Sequence, residues 1–335
     1  MNNITRRLLA MIPAIFGVII SMFVITRVLP GNPARTFAGE QAPQSVVDEI
    51  TKTMGLDQPL YVQFFRYLAD LVQGDLGFAW HTGQTVLEDF ATRLPATVEL
   101  GVAALLIALL IGIPLGIISA TRRDQFVDQA SRVASMVGAS MPVFWLGLLV
   151  IFVFYKELGI APAPLGRIAS DVYPPTRITG LYTVDSLLSG DMVALGSSLT
   201  HLIWPAMVLA GGSMAIITRM TRSAMLEVIG QDYVRTAMAK GLSGYIVIGK
   251  HAFKNAAPVI ATITGLQFGQ LLGGAVITET IFTWPGLGSY VTQSILATDY
   301  APVQAFTLIA AIMYLVVNLA VDLFNSWLDP RVKNA

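Results

Sequence analysis

The sequence predicts an all-α integral membrane protein with six spans and a small helical external subdomain after the first span, and three observations predict it. The 335 residues are 54% hydrophobic and only 13% charged, with a mean hydropathy of +0.65, whereas soluble domains carry about 25% charged residues. Six stretches, near 8–29, 97–120, 132–155, 200–219, 259–282 and 303–326, each supply the roughly 20 apolar helical residues that a hydrocarbon core of about 30 Å demands. Basic residues gather at alternate ends of those stretches.

The first stretch follows Arg6 and Arg7 and outruns the apolar core of a signal peptide, about 7–15 residues, so it is expected to stay as an anchor. Arg6, Arg7, Arg122, Arg123, the basic residues of 219–254, and Arg331 with Lys333 fall at the N-terminus, alternate loops and the C-terminus. The positive-inside rule assigns them to the cytoplasm, and an even number of spans puts both termini there. Residues 1–29 then form the N-terminus and first span, and 30–95 the external subdomain. Residues 96–327 form a five-span core that includes a cytoplasmic segment at 222–258, and 328–335 a cytoplasmic tail. Within 30–95, apolar residues recur at helical spacing between Pro and Gly breaks. The 160–190 loop, with PAP, YPP and LLSGDM, reads as an irregular external lid.

Gln231–Pro258 is polar and helix-forming between apolar neighbours, and Gly241, Leu242, Ser243 and Gly244 interrupt it. It reads as helix, tight bend, helix, bearing Arg235, Lys240, Lys250, His251 and Lys254. In span five, Gly265, Gly269 and Gly273 repeat every four residues, the spacing of a close helix-packing ridge. Gln267 and Gln270 fall away from that ridge at 100° per residue; they fit either the lining of a path or interhelical hydrogen bonds. Glu279, Asn318 and Asp322 sit near span ends, where carboxylates also fit the interface. Gly112 and Gly116 around Pro114, and Pro142 in span three, suit close packing or kinks.

Several chemistries are excluded. There are no cysteines, and His81, His201 and His251 are too scattered for a metal cluster. A net charge of zero gives no field for nucleic acid. Gly244, Gly249 and Lys250 satisfy GxxxxGK, but His251 stands where Ser or Thr must reach magnesium and no strand precedes. Without GxSxG or HExxH, hydrolase and metalloprotease readings have no nucleophile or ligand set, so any energy source must be a partner or an ion gradient.

RRLLAMIPAIFGV, LPGNPA, GLDQPLYVQFFRYLADLVQGDLGFAW, RLPATVELGVAALLIALLIGIPLGIISA, SMPVFWLGLLVIFVF, HLIWPAMVLA, TRSAMLEVIGQDYVRTAMAKGL, HAFKNAAPVI, GGAVITETIFTWPGLG and LDPRVK run nearly end to end. In that order they resemble the permease subunits of binding-protein-dependent ABC importers, in the dipeptide, oligopeptide and nickel branch. The resemblance implies a type I importer permease fold, and a cytoplasmic segment similar to the EAA motif, whose two short helices dock on an ATP-hydrolysing subunit. Ala237 and Gly241 stand at that motif's second alanine and its glycine; Arg235 and Thr236 replace its Glu and first Ala, and His251 to Lys254 replace its IxLP ending.

On this resemblance the coupling residues are Asp232, Tyr233, Arg235, Thr236, Ala237, Ala239, Lys240, Gly241, Leu242, Ser243, Lys250 and His251. The path residues are Gln267, Gln270, Glu279 and Trp284. ATP and magnesium belong to partner ATPase subunits, and this chain binds no cofactor. The implied partners are a second homologous permease, one or two ABC ATPases, an extracytoplasmic solute-binding protein, a peptide-like solute and membrane lipid, in a bacterial inner membrane. Two other readings are weighed. A gradient-driven transporter would show inverted repeats and discontinuous helices around midplane charges. A purely structural scaffold would leave the glutamine face and the cytoplasmic segment without purpose.

Overall fold

A computed structural model describes residues 3–28, 33–39 and 41–328. Most of the LPGNP motif and the tail from 329 fall outside the described residues, as do the side chains of Arg6 and Arg7.

Helix α1 runs Asn3–Val28, followed by α2 (Pro33–Ala38), α3 (Gln44–Thr53) and α4 (Leu60–Val72). Pro43 and Pro59 precede α3 and α4, with backbone fixed where a helix can begin but not extend backwards. Gly74, at φ +80°, turns the chain after α4. The subdomain is not wholly helical: β1 (Phe78–Ala79) pairs antiparallel with β2 (Gln84–Thr85) in a short hairpin.

Helix α5 spans Val86–Thr121 and so begins well before the apolar stretch. A capping box starts it: Glu88 N–H donates to Thr85 Oγ1 at 3.3 Å, and Thr85 N–H donates to Glu88 Oε2 at 3.0 Å. Helix α6 (Phe126–Ser140) and α7 (Val143–Val150) follow, α7 running on into a π-helical stretch, Ile151–Glu157. Then come α8 (Tyr182–Ser189), α9 (Met192–Ile229), α10 (Asp232–Ala239) and α11 (Gly244–Ile246). A second π-helical stretch, Val247–Phe253, leads into α12 (Lys254–Ile281), and α13 (Leu287–Leu296) and α14 (Tyr300–Leu328) complete the order.

Among the described residues, each of the six predicted apolar stretches falls mainly on helix. Helices α5, α9 and α14 are long and apolar enough to cross a membrane unbroken, and α1 carries a shorter apolar run, Met11–Arg27. The third span needs correction, because α6 and α7 meet at 104°. Pro142 is the cause: it disfavours helical backbone in the residue before it, and Met141 is extended at φ −78°, ψ 126°. The fifth span is bent by 47° between Leu271 and Ala275, with Gly273 in the interval.

The chain divides into two compact units, Met1–Ala96 with Pro285–Met313 and Thr97–Trp284 with Tyr314–Ala335. The first has a core of Ala79, Val86, Phe90, Leu287, Tyr290 and Ala305. Inside it the Tyr290 hydroxyl donates to Asp89 Oδ2 at 2.9 Å, and the Thr82 hydroxyl donates to the same oxygen at 2.6 Å. The second is organised on α9, against which α6, α7, α8 and α12 pack. Gly112 and Gly116 let α5 approach α9: a Cβ on Gly116 would lie 2.6 Å from that of Thr221.

Candidate functional site

The polar segment between spans four and five folds as a short helix, a glycine turn and a second helical run. Gly241 makes the turn at φ +78°, backbone that costs other residues about 1–2 kcal/mol. The second run is not an isolated short helix, as the motif resemblance implied. It continues from Gly244 through the π-helical stretch into the body of span five. In that stretch Val247 and Ala252 are both buried, each in a different apolar cluster.

Two apolar contacts fix the segment. Val234, Ala237 and Val247 form a small buried cluster, and Ala252 joins Ala120, Ala224, Met225, Ala256 and Ile260. Ala237 is therefore inside the segment, holding α10 to the π-helical stretch, rather than on its surface. Asp232, Tyr233, Arg235, Thr236, Ala239, Lys240, Gly241, Leu242, Ser243 and Lys250 are exposed, and His251 is half-buried. Three further exposed apolar residues, Met238, Ile246 and Tyr245, the last 88% exposed, stand on the same segment. The sequence reading missed them because it followed charge; the signal was a Tyr-Ile pair beside the glycine turn.

A buried ion pair ties α6 to α9. Arg222 Nε and Nη2 donate to Asp128 Oδ1 and Oδ2 at 2.6 and 2.7 Å, the two-pronged geometry that suits guanidinium and carboxylate. Ser119 Oγ and the backbone N–H of Asp124 also donate to Asp128. None of these residues stood out in the sequence.

The residues expected along a path separate into two groups. Gln267 is buried, with Oε1 lacking a partner, whereas Gln270 is exposed. Glu279 is fully buried and accepts the Thr97 hydroxyl at 2.7 Å, and Trp284 is 1% exposed. Asn318 and Asp322 are half-buried. The glycine ridge is real over two positions only. Gly265 meets Val321 and Gly269 meets Tyr314, a Cβ on Gly269 falling 2.3 Å from the ring, while Gly273 is exposed with nothing within 4 Å. Gly273 belongs to the bend of span five instead.

The irregular loop after α7 is pinned rather than loose. Arg167 Nη2 donates to Glu99 Oε2 at 2.5 Å and to the Gly180 carbonyl at 2.9 Å. The guanidinium lies over the Tyr182 ring at 3.7 Å. Glu99 Oε1 in turn accepts the Thr183 N–H and hydroxyl. Asp185 accepts the N–H groups of Ile178, Thr179 and Gly180 and the Thr179 hydroxyl. Burial alone would raise the Asp185 carboxyl, but those donors outweigh it and hold it below the usual carboxylate range.

Residues 112–334 match the family model described as binding-protein-dependent transport system inner membrane component. Residues 1–101 match the N-terminal model of the same kind of membrane component. The chain belongs to this permease family. It is 46% identical over 98% of its length, and 96% of the relative's, to the probable D,D-dipeptide transport system permease protein of Escherichia coli strain K12. To the dipeptide transport system permease protein of Alkalihalophilus pseudofirmus it is 44% identical over 98% of each chain. To a glutathione transport system permease protein of E. coli O6:H1 it is 35% identical over 99% of each. The protein is accordingly a multi-pass inner-membrane permease of a binding-protein-dependent transport system, and the exposed segment, the bent span and the pinned loop are features of that permease.

Proposed function

We propose that this permease is one of two in an ATP-driven importer of dipeptides or short oligopeptides, and that its exposed 231–253 segment receives the ATPase. One observation carries the reading: from Gly244 to Leu271 the segment and the first part of span five are one continuous helical run, ahead of the 47° bend. A push on the segment therefore moves a span directly, with no flexible linker to absorb it. ATP-driven closure of the ATPase pair would shift the helix as a rigid element and switch the permeases between inward-open and outward-open states. The ATP and magnesium are the ATPase's.

Within this reading Gln270 lines the path shared with the second permease. Glu279 and Trp284 support its wall from within. A solute-binding protein docks on the side of 30–95 and the 160–190 loop, and both termini lie in the cytoplasm with the basic residues. Relatives named for dipeptide transport support the solute class.

The test is affinity purification from native membrane in mild detergent, with partner identification and ATPase assay. Recovery of a second permease and of ATPases stimulated by peptide-loaded binding protein is expected. Recovery of the chain alone, with flux in liposomes following an ion gradient, would overturn the reading.

A further inference from the structure

Helix α4 is amphipathic, yet the chain fully buries none of its residues. At 3.6 residues per turn, Tyr61, Phe65, Leu68 and Val72 share one face. Tyr61, Phe65 and Val72 are 67%, 66% and 88% exposed. Gln63, Arg66 and Asp70 take the opposite face, and there Gln63 Nε2 donates to the Leu56 and Gln58 carbonyls at 3.3 and 2.7 Å. The polar edge is thus tied back to the turn before α4, and the apolar stripe is left bare. A bare stripe of this kind marks an interaction surface.

Helix α1 identifies what covers it. Phe64 and Tyr67 lie between the two faces of α4, and both meet α1. The Phe64 ring packs edge to face on Phe16 at 6.5 Å and on Phe23 at 5.1 Å, and the Tyr67 ring stacks on Phe23 at 6.1 Å. Phe16 and Phe23 belong to the apolar run Met11–Arg27, about 16 and 6 Å from its Arg27 end at 1.5 Å per residue. Phe64 therefore lies beside residues at hydrocarbon level, in a range that overlaps the roughly 5–10 Å to which interfacial helices sink.

The order of the contacts fixes which way the stripe points. Tyr67, on the polar side of the contact, stacks on Phe23 near the end of the run. Phe64, on the stripe side, reaches Phe16 deeper in it. Going round α4 from the polar edge through Tyr67 and Phe64 to the stripe thus runs down α1 toward the middle of the bilayer. We propose that α4 lies in the membrane interface beside α1, with its Tyr61, Phe65, Leu68 and Val72 face embedded in the lipid of the leaflet at the Arg27 end. Gln63, Arg66 and Asp70 then face the headgroups, and a soluble partner has no access to the stripe. The proposal rests on α1 crossing the bilayer and not on the ATPase or the solute; the orientation proposed above makes this leaflet the outer one.

The chain contains no cysteine, so single cysteines can be spin-labelled in the full-length permease reconstituted in liposomes of phosphatidylethanolamine and phosphatidylglycerol. Oxygen concentrates in hydrocarbon and a nickel chelate stays in water. The ratio of oxygen to nickel relaxation should be severalfold higher at Phe65→Cys and Val72→Cys than at Arg66→Cys and Asp70→Cys, with Ile20→Cys in the apolar run of α1 as the depth reference. The pattern should persist after assembly with the partner subunits and binding protein. Wild-type complex in the same liposomes, exposed to a phospholipid with a diazirine on its acyl chain, should be photolabelled within 61–72; this decides the matter if a cysteine variant fails to assemble. Nickel access at Phe65→Cys and Val72→Cys equal to that at Arg66→Cys would overturn the proposal, as would absence of photolabel within 61–72. Loss of access to both reagents on assembly would give the stripe to a partner protein and overturn it likewise. A water-exposed label at Ile20→Cys would overturn it together with the first span, while leaving the importer reading untouched.

Discussion

The loop at 158–190 and the segment at 231–253 both interrupt the spans of the second unit, yet they use charge in opposite ways. In the loop Arg167 and Asp185 are spent internally. Arg167 and Glu99 are paired with side chains 6% and 5% exposed, and Asp185 is ringed by backbone donors. In the segment the ion pair of Asp232 with Arg235, at 3.8 Å, joins side chains 98% and 73% exposed, and such pairs add little stability. A stretch whose polar groups are satisfied from within is scaffold. A stretch held by a few buried aliphatic residues, with its polar and aromatic groups outward, is built to meet something else.

The comparison breaks hardest at the buried pair. Glu99→Ala would strand the Arg167 guanidinium in a buried site, and losing one partner of a buried pair costs about 3–5 kcal/mol. Thermal unfolding of the detergent-purified protein should show the largest drop of any variant considered, and a melting temperature close to wild type would mean that the loop is not anchored there. Asp128→Asn comes next. It keeps the shape but removes the charge that takes both Arg222 nitrogens, for an expected loss of about 1–3 kcal/mol.

Asp185 sharpens the comparison through pH. Because its folded carboxyl sits below the ordinary range, its stabilisation is complete above the unfolded value and disappears as pH falls through the depressed folded value. Limited proteolysis of 166–181 should therefore accelerate at acid pH in the wild type. In Asp185→Asn it should already be fast at neutral pH and gain less from acid. Equal acid sensitivity in both would assign the pH response to another group.

Legibility in the sequence followed the same divide. Six helical stretches were readable because apolar composition over about 20 residues is a long, redundant signal. The bend at Met141 was half-readable: Pro142 announced a kink, but its size depends on packing against α9. The segment's bend was readable from Gly241, whereas the burial of Ala237 was not, since an alanine looks the same on either face of a short helix. Arg167, Glu99, Asp128 and Arg222 were invisible as partners, because they are 68 and 94 residues apart in the chain and only the fold brings them together. The hairpin at Phe78–Thr85 is too short for a period-two pattern to declare itself.

Gly241→Ala gives a smaller effect than any of the buried-charge variants. Its positive φ makes a Cβ strained, at about 1–2 kcal/mol, but nothing lies within 4 Å of that Cβ, so the segment should still fold, with its turn shifted. Uptake should fall further than stability does. Ala237→Glu is different in kind, since it places a carboxylate among Val234 and Val247 and should loosen the segment itself, raising hydrogen exchange across 232–247.

The smallest expected effect on stability is the most informative. Tyr245 is 88% exposed, makes no contribution to either buried cluster that fixes the segment, and sits next to the turn on the helical run that enters span five. Tyr245→Ser should leave the melting temperature of the isolated permease unchanged. If the segment is where the ATPase docks, an exposed aromatic at its apex has the character of a binding hot spot, for which truncation costs about 2 kcal/mol or more, so ATPase co-purification and uptake should fall at least tenfold. Unchanged stability with unchanged coupling would show that the outward groups of the segment are merely solvated, and the contrast with the loop would then mark only how the two stretches fold.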